Sequence, residues 1–279
     1  MIDENQFLQK LSDAIDHNRI TLPTLPEVAL KVRDAVEREQ SSANQIADII
    51  ASDAALSARL LQVANSPLYR GRVTIDNLQM AVARLGVRLV RSLVISLIMQ
   101  QIFQATSDLL DAKFRQIWEE SVEIAAFSRV LAANTDHLDK EQAMLAGLIH
   151  NIGALPILAF AESHDELLED AEELDRIIDA LSPRIDQRIL EMWDFPESLI
   201  RVPANFLNLD YTSEGEMDYV DIVLVARLES QMNNDGPIDA TSLSQIPAFV
   251  KVGLEPEVNI IEIEGVADDI QNIEVMFIS

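Results

Sequence analysis

The chain has 279 residues, enough for one large domain or two smaller lobes, and a net charge of −26. That field repels phosphate backbones unless a local basic patch overrides it, and the absence of cysteine excludes disulfides, thiolate nucleophiles and cysteine-type zinc sites. Glycine (8) and proline (10) are scarce beside 48% hydrophobic residues, which favours helices over a turn-rich sandwich or barrel.

The opening residues Met1 to Gln6 are acidic and polar, unlike a signal peptide. Pro26 is placed to open a helix with Val28, Val32 and Val36 on one face. Ser42 and Gln45 have the spacing of a capping box ahead of Ile46, Ile49 and Ile50. Asp53 is a cap for a helix through Leu56, Leu60 and Val63, which the turn Asn65-Ser66-Pro67 ends. Ile75, Leu78, Val82 and Leu85 repeat at helical spacing up to Gly86.

The apolar run Val87 to Met99 follows. Arg88 and Arg91 interrupt it, and it falls short of the roughly 20 residues a bilayer span needs. A buried helix, no membrane partner and a cytoplasmic location are the expectations.

A polar break at 106–108 precedes an amphipathic segment with Phe114, Trp118, Ser121, Ala125, Ser128 and Leu131. A buried helix ending in Gly147-Leu-Ile-His-Asn-Ile-Gly153 comes next. Glu162 to Asp175 is very acidic yet keeps a helical period, as an exposed amphipathic helix does. Ser182-Pro183 reads as the N-cap and first turn of a new helix, Pro196 as the opening of another, and Asp218 to Gln231 as one more. From Val258 the alternation Val-Asn-Ile-Ile-Glu-Ile-Glu fits either short helices or a terminal hairpin.

Several of these stretches together resemble the HDOD family, helical relatives of the HD phosphohydrolases. They are Leu22-Pro-Thr-Leu-Pro26, Ile46 to Asp53, Leu60 to Pro67 and Ala81 to Gly86 in the first part of the chain. In the second part they are Trp118-Glu-Glu-Ser121, Gly147 to Gly153 and Trp193-Asp-Phe-Pro196. The resemblance implies an all-α, HD-domain-like multi-helix bundle in two lobes. Its expected parts are an N-terminal lobe 1–106, an HD-like lobe 107–210 and a C-terminal extension 211–279, whose end is a short hairpin or helices. It further implies a bacterial signalling module that binds signalling proteins or a small ligand.

HD enzymes hold divalent metal through a helix histidine, an adjacent His-Asp pair and a further aspartate. Here Glu120 stands where the helix histidine is expected, and the pair is His150-Asn151, a neutral amide replacing the carboxylate. Ser182 occupies a position that is histidine in some relatives. No catalytic residue, metal or cofactor is therefore expected, with Glu120, His150 and Asn151 as remnant positions. Asn65, Ser66, Glu120, His150 and Asn151 are candidates for an inter-lobe groove.

The literal dipeptide His164-Asp165, like His17 and His137, lies in polar surroundings that suit surface residues. The densest basic cluster holds Arg59, Arg70, Arg72, Arg84, Arg88 and Arg91. Arg84, Arg88 and Arg91 are a candidate anion or partner patch. Against the net charge, an acidic protein surface fits that patch better than nucleic acid. Two alternatives remain at this point: an HD-type phosphohydrolase with altered ligands, and a cyclic-dinucleotide receptor.

Overall fold

The computed structural model describes residues 4–37, 42–103, 110–164, 167, 170–255, 260–263 and 265–278, and among them all regular structure is helical. The first six helices are α1 (Glu4–Asp16), α2 (Glu27–Glu37), α3 (Ala43–Ile50), α4 (Ala54–Ala64), α5 (Leu78–Leu85) and α6 (Val87–Ile102). Then come α7 (Asp111–Ala133), α8 (Lys140–Ile149), α9 (Ala154–Ala161), α10 (Ala171–Met192) and α11 (Glu197–Asn205). The remainder are α12 (Tyr219–Asp235), the short α13 (Ala240–Leu243) and α14 (Pro247–Val252), a 3-10 turn (Ile260–Glu262) and α15 (Val266–Ile278).

Local chemistry accounts for many boundaries. Before α3 the Gln45 amide donates to Ser42 Oγ at 3.2 Å, and the Ser42 amide donates to Gln45 Oε1 at 2.8 Å, a reciprocal capping box. The Leu56 amide donates to Asp53 Oδ1 at 2.9 Å, which starts α4. Gly86 (φ 83°) ends α5 and lets the chain turn at once into α6. The polar break at 106–108 lies outside the described residues.

Two expectations need correction. The acidic run 162–175 is not one helix: α9 ends at Ala161, and α10 begins at Ala171 behind the Asp170 cap. Ser182-Pro183 does not begin a helix; it lies inside α10. Proline removes one helix hydrogen bond and costs roughly 3 kcal/mol in a helix interior. The cost is offset because Leu174, Ile177, Ile178, Leu181, Ile185, Ile189 and Leu190 form one buried stripe across it. The chain end, open between helices and a hairpin, is helical where described: Ile270, Ile273 and Phe277 recur at helical spacing and are buried.

One hydrophobic cluster runs from Phe7 to Phe277. Helix α7 is at its centre and packs against α8, α12 and α15. Helix α6 packs against α2, α4 and α5 and also against α8, joining the early helices to the later ones. Contacts distant in sequence tighten that join. Arg33 Nη1 donates to the Trp193 carbonyl at 2.6 Å, and Trp193 Nε1 donates to the Pro23 carbonyl at 3.1 Å. The Phe7 ring meets Phe160 edge-on at 5.2 Å, and Arg188 on α10 bonds Asp16 on α1 at 2.8 Å.

Lys140–Ala161 is long and apolar enough by composition to cross a membrane, but 89% of its most apolar window is buried inside the helical core. It also bends, since α8 ends at Ile149 and α9 starts at Ala154.

Candidate functional site

That bend is the His150-Asn151 segment, and two glycines place it. A Cβ on Gly147 would stand 2.5 Å from Ala125 Cα, so α8 lies directly on the α7 backbone. A Cβ on Gly153 would stand 2.8 Å from the Ser182 carbonyl oxygen, so the far side of the bend lies on α10. Both glycines are required by close backbone approach rather than by turn geometry. The Gly153 amide donates to Asp186 Oδ1 on α10, which locks the bend in place.

His150 is buried, with Nδ1 2.6 Å from the Gly147 carbonyl oxygen. A carbonyl only accepts, so Nδ1 carries the proton. The ring meets Phe206 nearly edge-on, centroids 4.8 Å apart. Burial pushes its pKa down to about 4, with the Arg227 charge lowering it further and the Gly147 carbonyl opposing. At neutral pH it is an uncharged packing residue. Asn151 is half-buried, and its Oδ1 has no hydrogen-bond partner.

Glu120 lies on the solvent-facing edge of α7. Partial loss of hydration raises its carboxyl pKa; Asp179 and Glu123 push the same way, while Arg227 and Lys113 oppose. Because the side chain still reaches water, the effect is screened and modest. Glu120 lines a cleft of about 730 Å³ together with Glu119, Glu123, Arg227 and Glu274.

Arg227, from α12, faces this whole arrangement. Its charge acts on Glu120, Asp179 and His150 at once. The guanidinium lines the same cleft as Glu120, and its charge opposes a divalent cation there. The donor set is one imidazole, whose Nδ1–H donates to Gly147 and leaves only Nε2 to ligate, a neutral amide, and a single carboxylate that shares its cleft with Arg227. These residues do not fit a metal. No group of three or more histidine, aspartate or glutamate side chains able to hold one occurs among the described residues.

The other proposed groove residues have different work. Asn65 Nδ2 donates to the Leu61 and Ile75 carbonyls at 2.9 and 2.8 Å, and the Ile75 amide donates to Asn65 Oδ1 at 2.8 Å. Ser66 is half-buried beside it, its Oγ without a hydrogen-bond partner. None of the Asn65 hydrogen bonds reaches His150 or Asn151. A cavity of about 410 Å³ does lie between the early and later helices, formed by α6, α8, the turn after α10 and the start of α11. Its lining includes Arg91, Gln142, Asp194 and Phe195.

The three arginines of the candidate patch separate accordingly. Arg91 lines that cavity, Arg88 is exposed, and Arg84 Nη1 donates to the Val73 carbonyl. His164 packs on Phe160, centroids 4.7 Å apart, while Asp165 lies outside the described residues. His17 and His137 bond the carbonyls of Asp13 and Met217.

Of the buried polar groups that escaped the sequence reading, two bear on this region. Asp186 is fully buried on α10, and burial lifts its carboxyl far above the usual carboxylate range despite the Gly153 amide. Its signal was an acidic residue on the apolar stripe, one turn after Ser182. The second group is Arg129 with Glu141. Arg129 Nε and Nη2 donate to Glu141 Oε1 at 3.1 and 2.9 Å, and Tyr69 Oη donates to Glu141 Oε2 at 2.6 Å. The Arg129 guanidinium also sits 5.5 Å from the Tyr69 ring centroid. A lone arginine within an apolar helical run was the available hint.

Fold and site together define an all-helical domain of HD-like architecture. The model of the HDOD domain matches residues 22–206, more than half of the chain, and the chain belongs to the HDOD family. It is 30% identical to a "Putative metal-dependent phosphohydrolase" of known structure from Shewanella amazonensis, covering 98% of this chain and 99% of that one at a TM-score of 0.82. An HDOD domain protein from Geobacter sulfurreducens is 18% identical, covering 99% of this chain and 100% of that one at a TM-score of 0.72. A "Putative signal transduction protein" from Marinobacter aquaeolei is 18% identical, covering 99% of this chain and 66% of that one at a TM-score of 0.71. A curated Treponema pallidum protein is 25% identical over 236 residues; the match takes in 78% of this chain and 44% of that protein's length.

Proposed function

We propose that this chain is a regulatory domain that works by binding signalling proteins, and that it does not hydrolyse phosphate esters. The observation that carries the reading is the donor set itself: a neutral Asn151 amide beside His150, and a Glu120 carboxylate that lines its cleft together with the Arg227 guanidinium. Membership of the HDOD family and the likeness to a signal-transduction protein support the regulatory part. The name of the Shewanella relative supports the competing enzymatic reading, but shared fold does not carry activity when the site residues disagree.

The test is elemental analysis of untagged protein after incubation with manganese, iron and zinc, alongside turnover of bis-p-nitrophenyl phosphate. Substoichiometric metal and no turnover are expected. Near-stoichiometric metal that a His150→Ala variant loses, together with hydrolysis, would refute the proposal.

A further inference from the structure

The charge of the chain is sharply segregated. Residues 54–103 contain six arginines, no lysine and a single acidic residue, Asp76, whereas the whole chain is at −26. Within that span, Arg70, Arg72 and Val73 sit on the exposed loop between α4 and α5, and Val73 is 66% exposed.

The loop is held at four points. Asn65 pairs with both the amide and the carbonyl of Ile75 at 2.8 Å, bridging the loop's two ends. Ile75 is buried against Ala64 and Ala81. Arg84 Nη1 grips the Val73 carbonyl across the loop. Tyr69 reaches the buried Glu141 on α8. A loop so restrained presents its side chains with little ordering cost left to meet on binding.

We propose that the Arg70-Gly-Arg-Val73 loop, flanked by Arg84, is a preformed docking site for a short acidic segment of a partner protein that also carries an apolar side chain. The inference rests on the binding reading above and names the partner's chemistry. Arginine favours carboxylates through its forked donors. Val73, 66% exposed beside the arginines, gives an apolar side chain of the partner something to cover, which a phosphate backbone does not use. Size decides the remaining choice. Screening confines the patch to within about 8 Å at physiological salt. A short segment fits inside that range, whereas a DNA duplex, about 34 Å for each turn, or an anionic membrane would also face the acidic remainder of the surface.

The probe is a synthetic amphipathic peptide with glutamates on one helical face and leucines on the other, followed by fluorescence anisotropy. Binding is expected, weakening at least about tenfold as the screening length falls from ~10 Å at 0.1 M to ~3 Å at 1 M salt. A double variant, Arg70→Glu with Arg72→Glu, should lose binding, and Val73→Asp should weaken it. Arg115→Glu, on an exposed arginine of α7 paired with Asp111, should bind as the parent does. Far-UV circular dichroism confirms that each variant is folded.

No binding up to ~1 mM peptide, the weak limit of useful affinity, overturns the proposal. So does binding that survives the charge reversal, or a DNA duplex or anionic vesicle that binds as tightly. None of these outcomes touches the metal and turnover measurements that test the regulatory reading itself.

Discussion

Replacing Gly147 by alanine sets two effects of opposite sign against each other. Alanine in a helix interior is favoured over glycine by about 1 kcal/mol. The new methyl would stand 2.5 Å from Ala125 Cα and 2.8 Å from its amide nitrogen, where ordinary contact begins at 3.4 Å. Both obstructing atoms are backbone, so no side-chain rotation relieves the clash and α8 must retreat from α7 by about 1 Å. A radial gap of 0.5–1 Å forfeits roughly a quarter to a half of each dispersion contact, and this pair of helices forms the centre of the core. Overpacking of this kind costs about 1–3 kcal/mol and occasionally more. With backbone as the obstacle the upper end applies, leaving a net loss of about 2 kcal/mol. For a chain of this size that lowers Tm by roughly 4–8 °C. Urea denaturation followed by circular dichroism measures it. A Gly147→Ala protein as stable as the parent, or more so, would show that the helices do not meet this closely and would undo the account of how His150 is placed.

Glu141→Gln should destabilise by about 3–5 kcal/mol, because it leaves the Arg129 guanidinium buried without its counter-charge; Tyr69→Phe should cost only about 1.5–3 kcal/mol. Denaturant titrations of the two variants give the ranking, and equal losses would contradict it. His150 has a folded pKa of about 4 against 6.5 for the free side chain. The unfolded chain therefore binds more protons between those values, and the stability this histidine gives above pH 6.5 is lost as pH falls towards 4, up to about 3 kcal/mol. His150→Asn should flatten that part of the stability profile, and an unchanged slope would refute the assignment. Asp186 works in the opposite sense: its raised pKa favours the fold at low pH and costs stability as pH rises above about 4. Asp186→Asn keeps an acceptor for the Gly153 amide and should be relatively more stable at pH 8 than at pH 5, a difference that paired urea titrations would read.

Elements governed by local chemistry could be read from the sequence, whereas those governed by distant packing could not. Ser42, Asp53 and Gly86 mark helix ends through bonds or backbone angles within a few residues, and the structure has them there. Pro183 misled because its local cost is met by the buried stripe on both sides, a tertiary effect. The alternation at 258–264 carries no local signal that chooses between helix and strand; Val258, Asn259 and Glu264 lie outside the described residues, Ile260–Glu262 is a 3-10 turn, and the helix beyond is placed by Trp118 on α7 against Phe277, ring centroids 6.1 Å apart. At the candidate site, motif spacing singled out Glu120, His150 and Asn151. Arg227 lies over seventy residues further on and belongs to no motif, so only the fold brings its charge to them. Asp186 was hidden by the same misreading that split its helix at Pro183.

The long-range ties of the first two helices bear on how the chain comes to be folded. Phe7, Leu11 and Ile15 are buried in the finished protein, yet α1 finds Phe160 and α10 only after most of the sequence has been made. Trp193 bonds Pro23 across a separation of 170 residues. At ribosomal rates of about 5–20 residues per second, the earliest apolar side chains wait roughly 10–30 s for these partners. A stalled or truncated product ending before α10 would expose that surface permanently. Arrival of α10, rather than emergence of the first helices, is then the event that covers α1 and ends the exposure of its apolar face to aggregation and proteolysis.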